Sequence, residues 1–320
     1  MVEYVKLGRT NQVVSRLGLG TMAFGGLYGP MPKIDVVRTV HAAIDLGITF
    51  FDTSPTYGDG RAEELLAEAL GNHIDRVFIA TKNGTGSVSD LNIWRSNDRE
   101  SIIKRVEGSL RRLKRDHIDL YMIYGPDPHT PVKETMETLV ELRQAGKIRF
   151  IGTCEADTAR LRDELRYGRI EAVEAPYNVM NRMIENEVLP FCRAAGISVI
   201  ASEPFLCGLL HGELHRNSVF DITDHRVLDK RFRGQRYRDN VEAVNRLRKI
   251  AEQQGVSLTQ LALGWVLRNE TVSVAVCGAK SAQQIRHIAT NERLNIVDDQ
   301  LFFIDQSVGE RTFESMGGGQ

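Results

Sequence analysis

Three side chains with complementary acid–base properties follow two neighbouring apolar runs. Asp52 ends the first run, Tyr57 comes shortly after it, and Lys82 ends the second run. A carboxylate beside a partly desolvated ammonium keeps the ammonium charged, and a nearby positive charge lowers the pKa of a phenol. The pattern predicts a tyrosine that exchanges a proton with a substrate oxygen while hydride moves to or from the adjacent carbon. A surface ion pair beside an unrelated tyrosine is the alternative.

The elements that must position these residues are short apolar runs that alternate with segments of helical period. Strands buried on both faces read as continuous apolar runs, and their alternation with helices implies parallel strands with right-handed crossovers. Eight such units predict an α/β fold of the (β/α)₈ TIM barrel type, with a doubly wound sheet as the lesser alternative. Active sites of such barrels lie at the carboxyl ends of the strands. The predicted strands are residues 16–21, 49–53, 77–82, 118–124, 148–154, 172–177, 198–204 and 273–278.

Other segments decorate this barrel within a single predicted domain, residues 1–320. Residues 1–14 alternate in hydrophobicity around a turn, which predicts an N-terminal β-hairpin that closes the barrel bottom. The stretch from Gly208 to about Asn240 predicts a long loop, and loops of this length are usually functional or mobile. Extra C-terminal helices are expected at 257–268, with Ser257 as N-cap, and at 298–307, before a flexible tail at 313–320.

Composition excludes several classes of partner. The 320 residues carry a formal net charge of −1, so no basic field attracts nucleic acid or an anionic membrane. No apolar run approaches the ~20 residues of a membrane span, and the N-terminus lacks the features of a signal peptide, which predicts a cytoplasmic protein. The four cysteines show no metal-ligand spacing, so buried reduced thiols are expected. The oligomeric state cannot be read from the sequence.

The chain resembles the aldo-keto reductase superfamily, in the family order and spacing of several motifs. This resemblance implies a barrel that binds NADP(H) without a Rossmann domain and reduces aldehydes or ketones. It also implies that Asp52, Tyr57 and Lys82 are three of four catalytic residues, with Tyr57 as general acid/base. The motifs are Gly18-Leu19-Gly20-Thr21-Met22, Phe51-Asp52-Thr53-Ser54 with Tyr57-Gly58, Thr81-Lys82, Asp119-Leu120-Tyr121, residues 177–182 and residues 208–212.

The resemblance also extends to a cofactor site. The segment after the eighth strand, residues 278–286, resembles the segment with which members of the family bind the 2′-phosphate and adenine of NADP(H). Small residues there let the backbone approach a phosphate, and Lys280 adds charge. The long loop before Asn240 is rich in arginine, and this arginine-rich loop either covers the pyrophosphate of the cofactor or forms a solvated surface. Its basic residues are Arg226, Lys230, Arg231, Arg233, Arg236 and Arg238. The resemblance implies the cofactor-binding residues Gly20, Thr21, Met22, Asp52, Cys154, Glu155, Glu174, Ser202, Pro204, Gly208, Gly278, Lys280 and Gln284.

The chain departs from the family pattern around the expected nicotinamide. Tyr124 takes the place of the catalytic histidine, and it cannot titrate near neutral pH as imidazole does. Cys154-Glu155 replaces the usual Ser-Asn, Glu174 replaces a glutamine, and Ser202 replaces a stacking aromatic residue. Three explanations stay open. In the first, the carboxylates favour the oxidised cofactor. In the second, selection on the pocket is relaxed because the protein no longer performs ordinary carbonyl reduction. In the third, the motif is misaligned by a residue or two near Glu174.

Three functions are consistent with these observations. The first is an NADP(H)-dependent oxidoreductase that acts on a small carbonyl or alcohol substrate, which the retained Asp52, Tyr57 and Lys82 support. The second is a redox-neutral enzyme of the same fold, such as an isomerase, epimerase or lyase, with NADP retained or lost. The third and least favoured is a non-catalytic regulatory subunit. Neither the substrate nor the reaction direction follows from the sequence.

Overall fold

An antiparallel hairpin precedes the barrel strands in the computed structural model, which describes residues 2–84, 96–125, 127–290 and 298–308. Its strands are β1 (Tyr4–Lys6) and β2 (Val13–Ser15). The predicted hairpin is therefore confirmed. The predicted tail, residues 313–320, and the loop residues 85–95 lie outside the described residues.

The eight predicted strands pair in parallel and close into a barrel. Each predicted strand is confirmed, with bounds that shift by no more than two residues, and the barrel settles the choice against a doubly wound sheet. The closed order runs from β3 through β9 to β10 and back to β3. The strands are β3 (Leu17–Gly20), β4 (Phe50–Asp52), β5 (Phe78–Lys82), β6 (Ile118–Tyr124), β7 (Ile148–Cys154), β8 (Ala172–Pro176), β9 (Ser198–Ser202) and β10 (Val272–Gly278).

Helices cover the outside of the barrel, and several begin or end at residues suited to that position. Asp98 caps one helix by accepting from Ser101 N, and Ser257 forms the capping box expected for a strong N-terminus. The helices are α1 (Lys33–Asp45), α2 (Arg61–Leu70), α3 (Arg99–Leu113), α4 (Val132–Gln144), α5 (Thr158–Glu164), α6 (Val188–Ala195), α7 (Gly234–Gln253), α8 (Leu258–Leu267), α9 (Ala282–Thr290) and α10 (Asp298–Val308). No helix in these described ranges is long and apolar enough to cross a membrane.

The barrel interior is filled with side chains and is closed at its amino-terminal end. Leu7 and Val14 of the hairpin belong to the same buried cluster as Phe50, Phe78 and Leu120 inside the barrel. The rings of Phe50 and Phe78 stack with their centroids 5.3 Å apart. Burial of each such ring contributes roughly 1.5–3 kcal/mol. The hairpin thus closes the barrel bottom, as predicted, and leaves the carboxyl ends of the strands as the place for chemistry.

The long loop after β9 is shorter than the sequence suggests. It contains three short 3-10 turns, and α7 begins at Gly234 rather than near residue 240. The prediction of the loop end was wrong because the first turns of α7 are highly polar. Only Tyr237 and Asn240 are buried there, which is too weak a pattern to indicate a helix.

Candidate active site

The residues predicted to form the site lie at the carboxyl ends of the barrel strands. Asp52 and Lys82 end β4 and β5, and Tyr124 and Cys154 end β6 and β7. Tyr57 lies in the loop between β4 and α2. The remaining predicted residues also lie on the barrel strands or just after them. Gly20, Thr21 and Met22 lie at or just beyond the end of β3, Glu155 follows β7, and Glu174 lies on β8. Ser202, Pro204 and Gly208 lie at or after the end of β9, and Gly278, Lys280 and Gln284 lie at or after the end of β10.

A buried ammonium lies between two buried carboxyl groups at the centre of this mouth. Lys82 Nζ is 2.5 Å from Asp52 Oδ1 and 3.2 Å from Glu174 Oε2, and it also donates to Thr53 O over 3.3 Å. Burial alone would lower the pKa of Lys82, but Asp52 and Glu174 together raise it well above its usual value. Lys82 is therefore charged at physiological pH, as predicted from its neighbouring carboxylate.

Tyr57 lies beside this group. Lys82 Nζ is 5.8 Å from the centroid of the Tyr57 ring. The loop is fixed by a close backbone approach, because a Cβ atom on Gly58, at φ +65°, would lie 2.6 Å from Gly25 O. The expectation that Lys82 brings the phenol pKa toward neutrality is wrong for this state of the protein. Burial raises the pKa of Tyr57 above its usual value, and the lowering by Lys82 does not offset it.

Glu174 belongs to the cluster and is not a misaligned position. It pairs in register with Cys154 on the adjacent strand and is buried, with its carboxyl group beside Lys82. Burial raises the pKa of Glu174 to about 8, and Asp52 adds to this rise because the two carboxyl groups interact. Burial also raises the pKa of Asp52 above its usual value, and Lys82 and the neighbouring Glu174 lower it only in part. The two carboxyl groups therefore compete for one ammonium, which favours a proton on one of them.

Tyr124, at the place of the family histidine, is held by two contacts. Its hydroxyl donates to Glu155 Oε1 over 3.1 Å, and its backbone N–H donates to Asn83 Oδ1 over 2.7 Å. Burial raises the pKa of Tyr124, and the neighbouring Glu155 raises it further. Glu155 itself has φ +50°, an uncommon backbone conformation for a residue with a side chain. Tyr124 is thus a neutral hydrogen-bonding group and not a titrating one.

Some buried polar oxygens around the mouth have no hydrogen-bond partner of good geometry in the described part of the chain, although one of them, Glu174 Oε2, contacts the Lys82 ammonium. Among the residues that the structure describes, Thr21 Oγ1, Thr53 Oγ1 and Glu174 Oε2 are buried without a hydrogen bond of good geometry. Because buried polar groups are usually satisfied, such atoms fit a site that receives a polar ligand.

The segment after β10 contacts the loop after β3. Lys280 Nζ donates to Tyr28 O over 2.6 Å, and Lys280 N donates to Gln284 Oε1 over 2.8 Å. Lys280 and Gln284 therefore lie on the other side of the mouth from Tyr124. In the described contacts, Ser202, Pro204, Gly208, Gly278 and Gln284 form no hydrogen bond to Asp52, Lys82 or Glu174. They belong to the mouth but not to its charged centre.

In the arginine-rich loop, Arg231 is buried in ion pairs, so the predicted solvated surface does not describe it, and the predicted cover over the pyrophosphate stays a prediction. Arg231 donates to Glu203 Oε2 over 2.6 Å and to Asp229 Oδ2 over 2.8 Å, and its side chain is buried. Arg226 pairs with Asp224 at 2.6 Å. Its guanidinium packs over aromatic rings, with 4.4 Å to the centroid of the Phe220 ring. These contacts hold the loop in place, with the Arg231 side chain buried and the Arg226 side chain partly exposed.

Sequence reasoning missed two parts of the site. Asn83 bonds to Tyr124 N through its Oδ1 atom and donates to Asn97 Oδ1 over 2.5 Å. Asn83 directly follows Lys82 at the end of β5, and this position could have indicated that it belongs to the site. The pairing of Arg231 with Glu203 joins residues far apart in sequence, and no local pattern indicates it.

Comparisons with known proteins identify the relatives of this chain. The model of the Aldo/keto reductase family matches residues 16–308. Aldo-keto reductase YhdN of Bacillus subtilis is 34% identical over 305 residues, covering 93% of this chain and 92% of that protein. The NADH-specific methylglyoxal reductase of Escherichia coli is 32% identical, covering 92% of this chain and 94% of that protein. The structure of glycerol dehydrogenase AKR11B4 from Gluconobacter oxydans is 30% identical with a TM-score of 0.86, covering 98% of this chain and 99% of that one.

Proposed function

This chain belongs to the aldo/keto reductase family, and we propose that it transfers hydride between a nicotinamide dinucleotide and a small carbonyl or alcohol substrate. The observation that supports this proposal most directly is the buried pairing of Lys82 with Asp52 at 2.5 Å beside Tyr57. Such a group serves proton transfer at a carbonyl oxygen, which must accompany hydride transfer to the carbonyl carbon.

Tyr57 is the proposed general acid/base. In reduction its hydroxyl gives a proton to the substrate oxygen, and in oxidation the phenolate takes the proton back. Lys82, kept charged by Asp52, stabilises the phenolate that forms during this exchange. Tyr124 donates to Glu155 in the structure, and in this proposal its hydroxyl orients the same substrate oxygen. Asp52, Tyr57, Lys82 and Tyr124 are thus the proposed catalytic residues.

The cofactor proposal rests on the polar atoms of the mouth. A bound nicotinamide supplies or accepts the hydride. Thr21 Oγ1, which is buried without a hydrogen-bond partner among the described residues, and the Glu174 carboxyl group, which Lys82 contacts at 3.2 Å, are the polar groups proposed to meet the amide of such a ring. Lys280 is the cation at the other side of the mouth and fits a phosphate. We propose NADP(H) for this reason, although one relative is named as NADH-specific.

The substrate class follows from the relatives and from the mouth. Two of them are named for glycerol and for methylglyoxal, which are small oxygenated molecules. The polar lining around Tyr124 and Glu155 suits a substrate of this class. We propose a small hydroxylated carbonyl compound or the alcohol related to it. The cytoplasmic location remains a prediction from the sequence.

The test is the substitution Tyr57→Phe. It removes the acid/base hydroxyl and keeps the ring, so turnover with small aldehydes and NADPH should fall by roughly 10²–10⁴-fold. Binding of NADPH, followed by its fluorescence, should change little. Tyr167→Phe, at an exposed tyrosine on the outside of the barrel, serves as the matched control and should keep full activity. Full activity of Tyr57→Phe would reject the role.

A second candidate function is a redox-neutral reaction on the same site, such as an epimerisation. The excess of carboxyl groups near Lys82 favours it, since Glu174 offers a second proton site that plain carbonyl reduction does not need. The two functions differ in their net chemistry. Consumption of NADPH in proportion to product supports reduction, whereas product formation without a lasting change in absorbance at the nicotinamide band supports the redox-neutral reaction.

A further inference from the structure

The charged centre of the mouth contains more carboxyl groups than cations. Asp52 and Glu174 both contact Lys82, and all three side chains are at least 90% buried. If both carboxyl groups were ionised, the buried group would carry a net negative charge, which is costly away from water. The protein relieves this cost by keeping a proton on Glu174.

The proton on Glu174 can be related to the charge of the nicotinamide ring, which differs between its oxidised and reduced forms. Proton and hydride reach the oxygen and carbon of one carbonyl group, so the nicotinamide ring must lie about 3–3.5 Å from the carbon whose oxygen meets Tyr57. That places the ring at the same mouth as Lys82 and Glu174. The oxidised ring is a cation and the reduced ring is neutral. A cation entering this mouth removes the reason for Glu174 to stay protonated, because opposite charges stabilise each other in a low-dielectric site.

We propose that Glu174 balances the charge of the nicotinamide ring, ionising when the oxidised form is bound and holding a proton when the reduced form is bound. This inference rests on the proposed function. Binding of the oxidised form transfers the Glu174 proton to solvent, and binding of the reduced form does not. The protein consequently holds the oxidised cofactor more tightly, and it biases the bound cofactor toward its oxidised state.

Other titratable groups face Glu174 and do not replace it. Asp52 and Lys82 form the tight ion pair, and burial raises the pKa of the Tyr57 phenol and of the Cys154 thiol, both of which interact with Glu174. The tyrosine and the cysteine are therefore neutral over the working range of pH. Burial raises the pKa of Asp52 as well, but Asp52 lies closer to Lys82, at 2.5 Å against 3.2 Å for Glu174, so the proton is assigned to Glu174, whose pKa burial raises to about 8.

Calorimetric titration tests the proposal by affinity and by proton release. NADP⁺ and NADPH, and in parallel NAD⁺ and NADH, are titrated at pH 7 in two buffers of different ionisation enthalpy. For the wild-type protein we expect tenfold or tighter binding of the oxidised form and release of close to one proton with it. Glu174→Gln keeps the shape but cannot ionise, so the preference should shrink about tenfold and the proton release should disappear.

Glu171→Gln is the matched control. Glu171 is also buried but lies immediately before β8, at the opposite end of the barrel, where it accepts from Ile151 N. This variant should keep both the preference and the proton release. The wild-type protein gives a second measurement that needs no substitution, because the preference for the oxidised form should grow as pH rises from 6 to 9.

The outcomes separate this inference from the proposed function. If folded wild-type protein binds no nicotinamide dinucleotide, the proposed function fails. If both redox forms bind with equal affinity, or if Glu174→Gln leaves the preference and the proton release unchanged, the role of Glu174 is overturned while the oxidoreductase proposal stands.

Discussion

Glu174 Oε2 lies 3.2 Å from Lys82 Nζ, and the same ammonium lies 2.5 Å from Asp52 Oδ1. One cation is thus shared by two carboxyl groups in a buried site. This arrangement keeps Lys82 charged, and burial raises the pKa values of both carboxyl groups that contact it. Both consequences can be measured.

The first prediction concerns stability and pH. Burial raises the pKa of Glu174 from 4.5 to about 8, so the folded protein binds more protons than the unfolded chain between these values. The free energy of unfolding should therefore fall as pH rises from about 5 to 8. Glutamine at position 174 cannot ionise, so Glu174→Gln should not show this pH-dependent fall. Its free energy of unfolding at pH 8.5 should exceed that of the wild type by roughly 2–4 kcal/mol. Urea denaturation at pH 5 and pH 8.5 checks this, and an equal gain at both values would contradict it.

The second prediction concerns the ammonium. Lys82→Met leaves Asp52 and Glu174 buried without a cation, and loss of one member of a buried ion pair costs roughly 3–5 kcal/mol. It should also abolish turnover, because the Tyr57 phenolate loses its stabilising charge. The double variant Lys82→Met with Asp52→Asn should recover much of the stability and none of the activity. Recovery of activity in the double variant would show that Lys82 acts only on the fold.

The third prediction concerns the loop after β9. Arg231 pairs with Glu203 and Asp229 in a buried position, so Arg231→Met leaves two carboxylates without their cation. We expect a loss of roughly 3–5 kcal/mol and faster proteolytic cleavage between residues 212 and 233. Lys230→Met, at the exposed neighbouring position, should behave as wild type. Equal cleavage rates for the two variants would argue against the ion pair as the fastening of this loop.

The fourth prediction concerns cofactor choice. Lys280→Met removes the cation proposed for the 2′-phosphate, so the affinity for NADPH should fall about tenfold or more while that for NADH stays the same. Fluorescence titration with both cofactors measures this. A parallel loss for NADH would indicate that the bond from Lys280 to Tyr28 O, rather than the phosphate contact, is what the substitution removes.

The fifth prediction concerns a helix terminus. Ser257 accepts from Gln260 N and forms a capping box at the start of α8. Ser257→Ala should destabilise the protein by roughly 1 kcal/mol, and Ser257→Asn, which also caps helices well, should cost much less. Thermal unfolding distinguishes the two variants.

Much of the fold could be predicted because each barrel strand carries a local signal. Residues 118–124 and 148–154 are largely apolar runs whose bounds match the structure, because most positions of such a strand are buried. The start of α7 could not be predicted in this way. Its first turns are stabilised by contacts with the preceding loop, which the hydrophobic period of the helix does not report.

The site was predictable as a set of positions but not as a set of interactions. Asp52, Lys82 and Tyr124 were placed correctly, because parallel strands bring their carboxyl ends to one rim. The contact between Lys82 and Glu174 depends on side chains from β5 and β8 that reach the same point across the mouth. The phenol pKa was misjudged for a related reason, since the depth of burial of Tyr57 follows from packing and not from residue type.

Within the residues that the structure describes, the hairpin fills the amino-terminal end of the barrel, so ligands enter and leave at the carboxyl ends of the strands. Leu7 and Val14 obstruct the floor, so a ligand seated deep in the mouth is trapped for as long as another lies above it. For a reaction with two partners we therefore expect an order of events, in which the deeper molecule enters first and departs last. Exchange of that molecule, and not the chemical step, is then a natural candidate for the slow stage of each cycle.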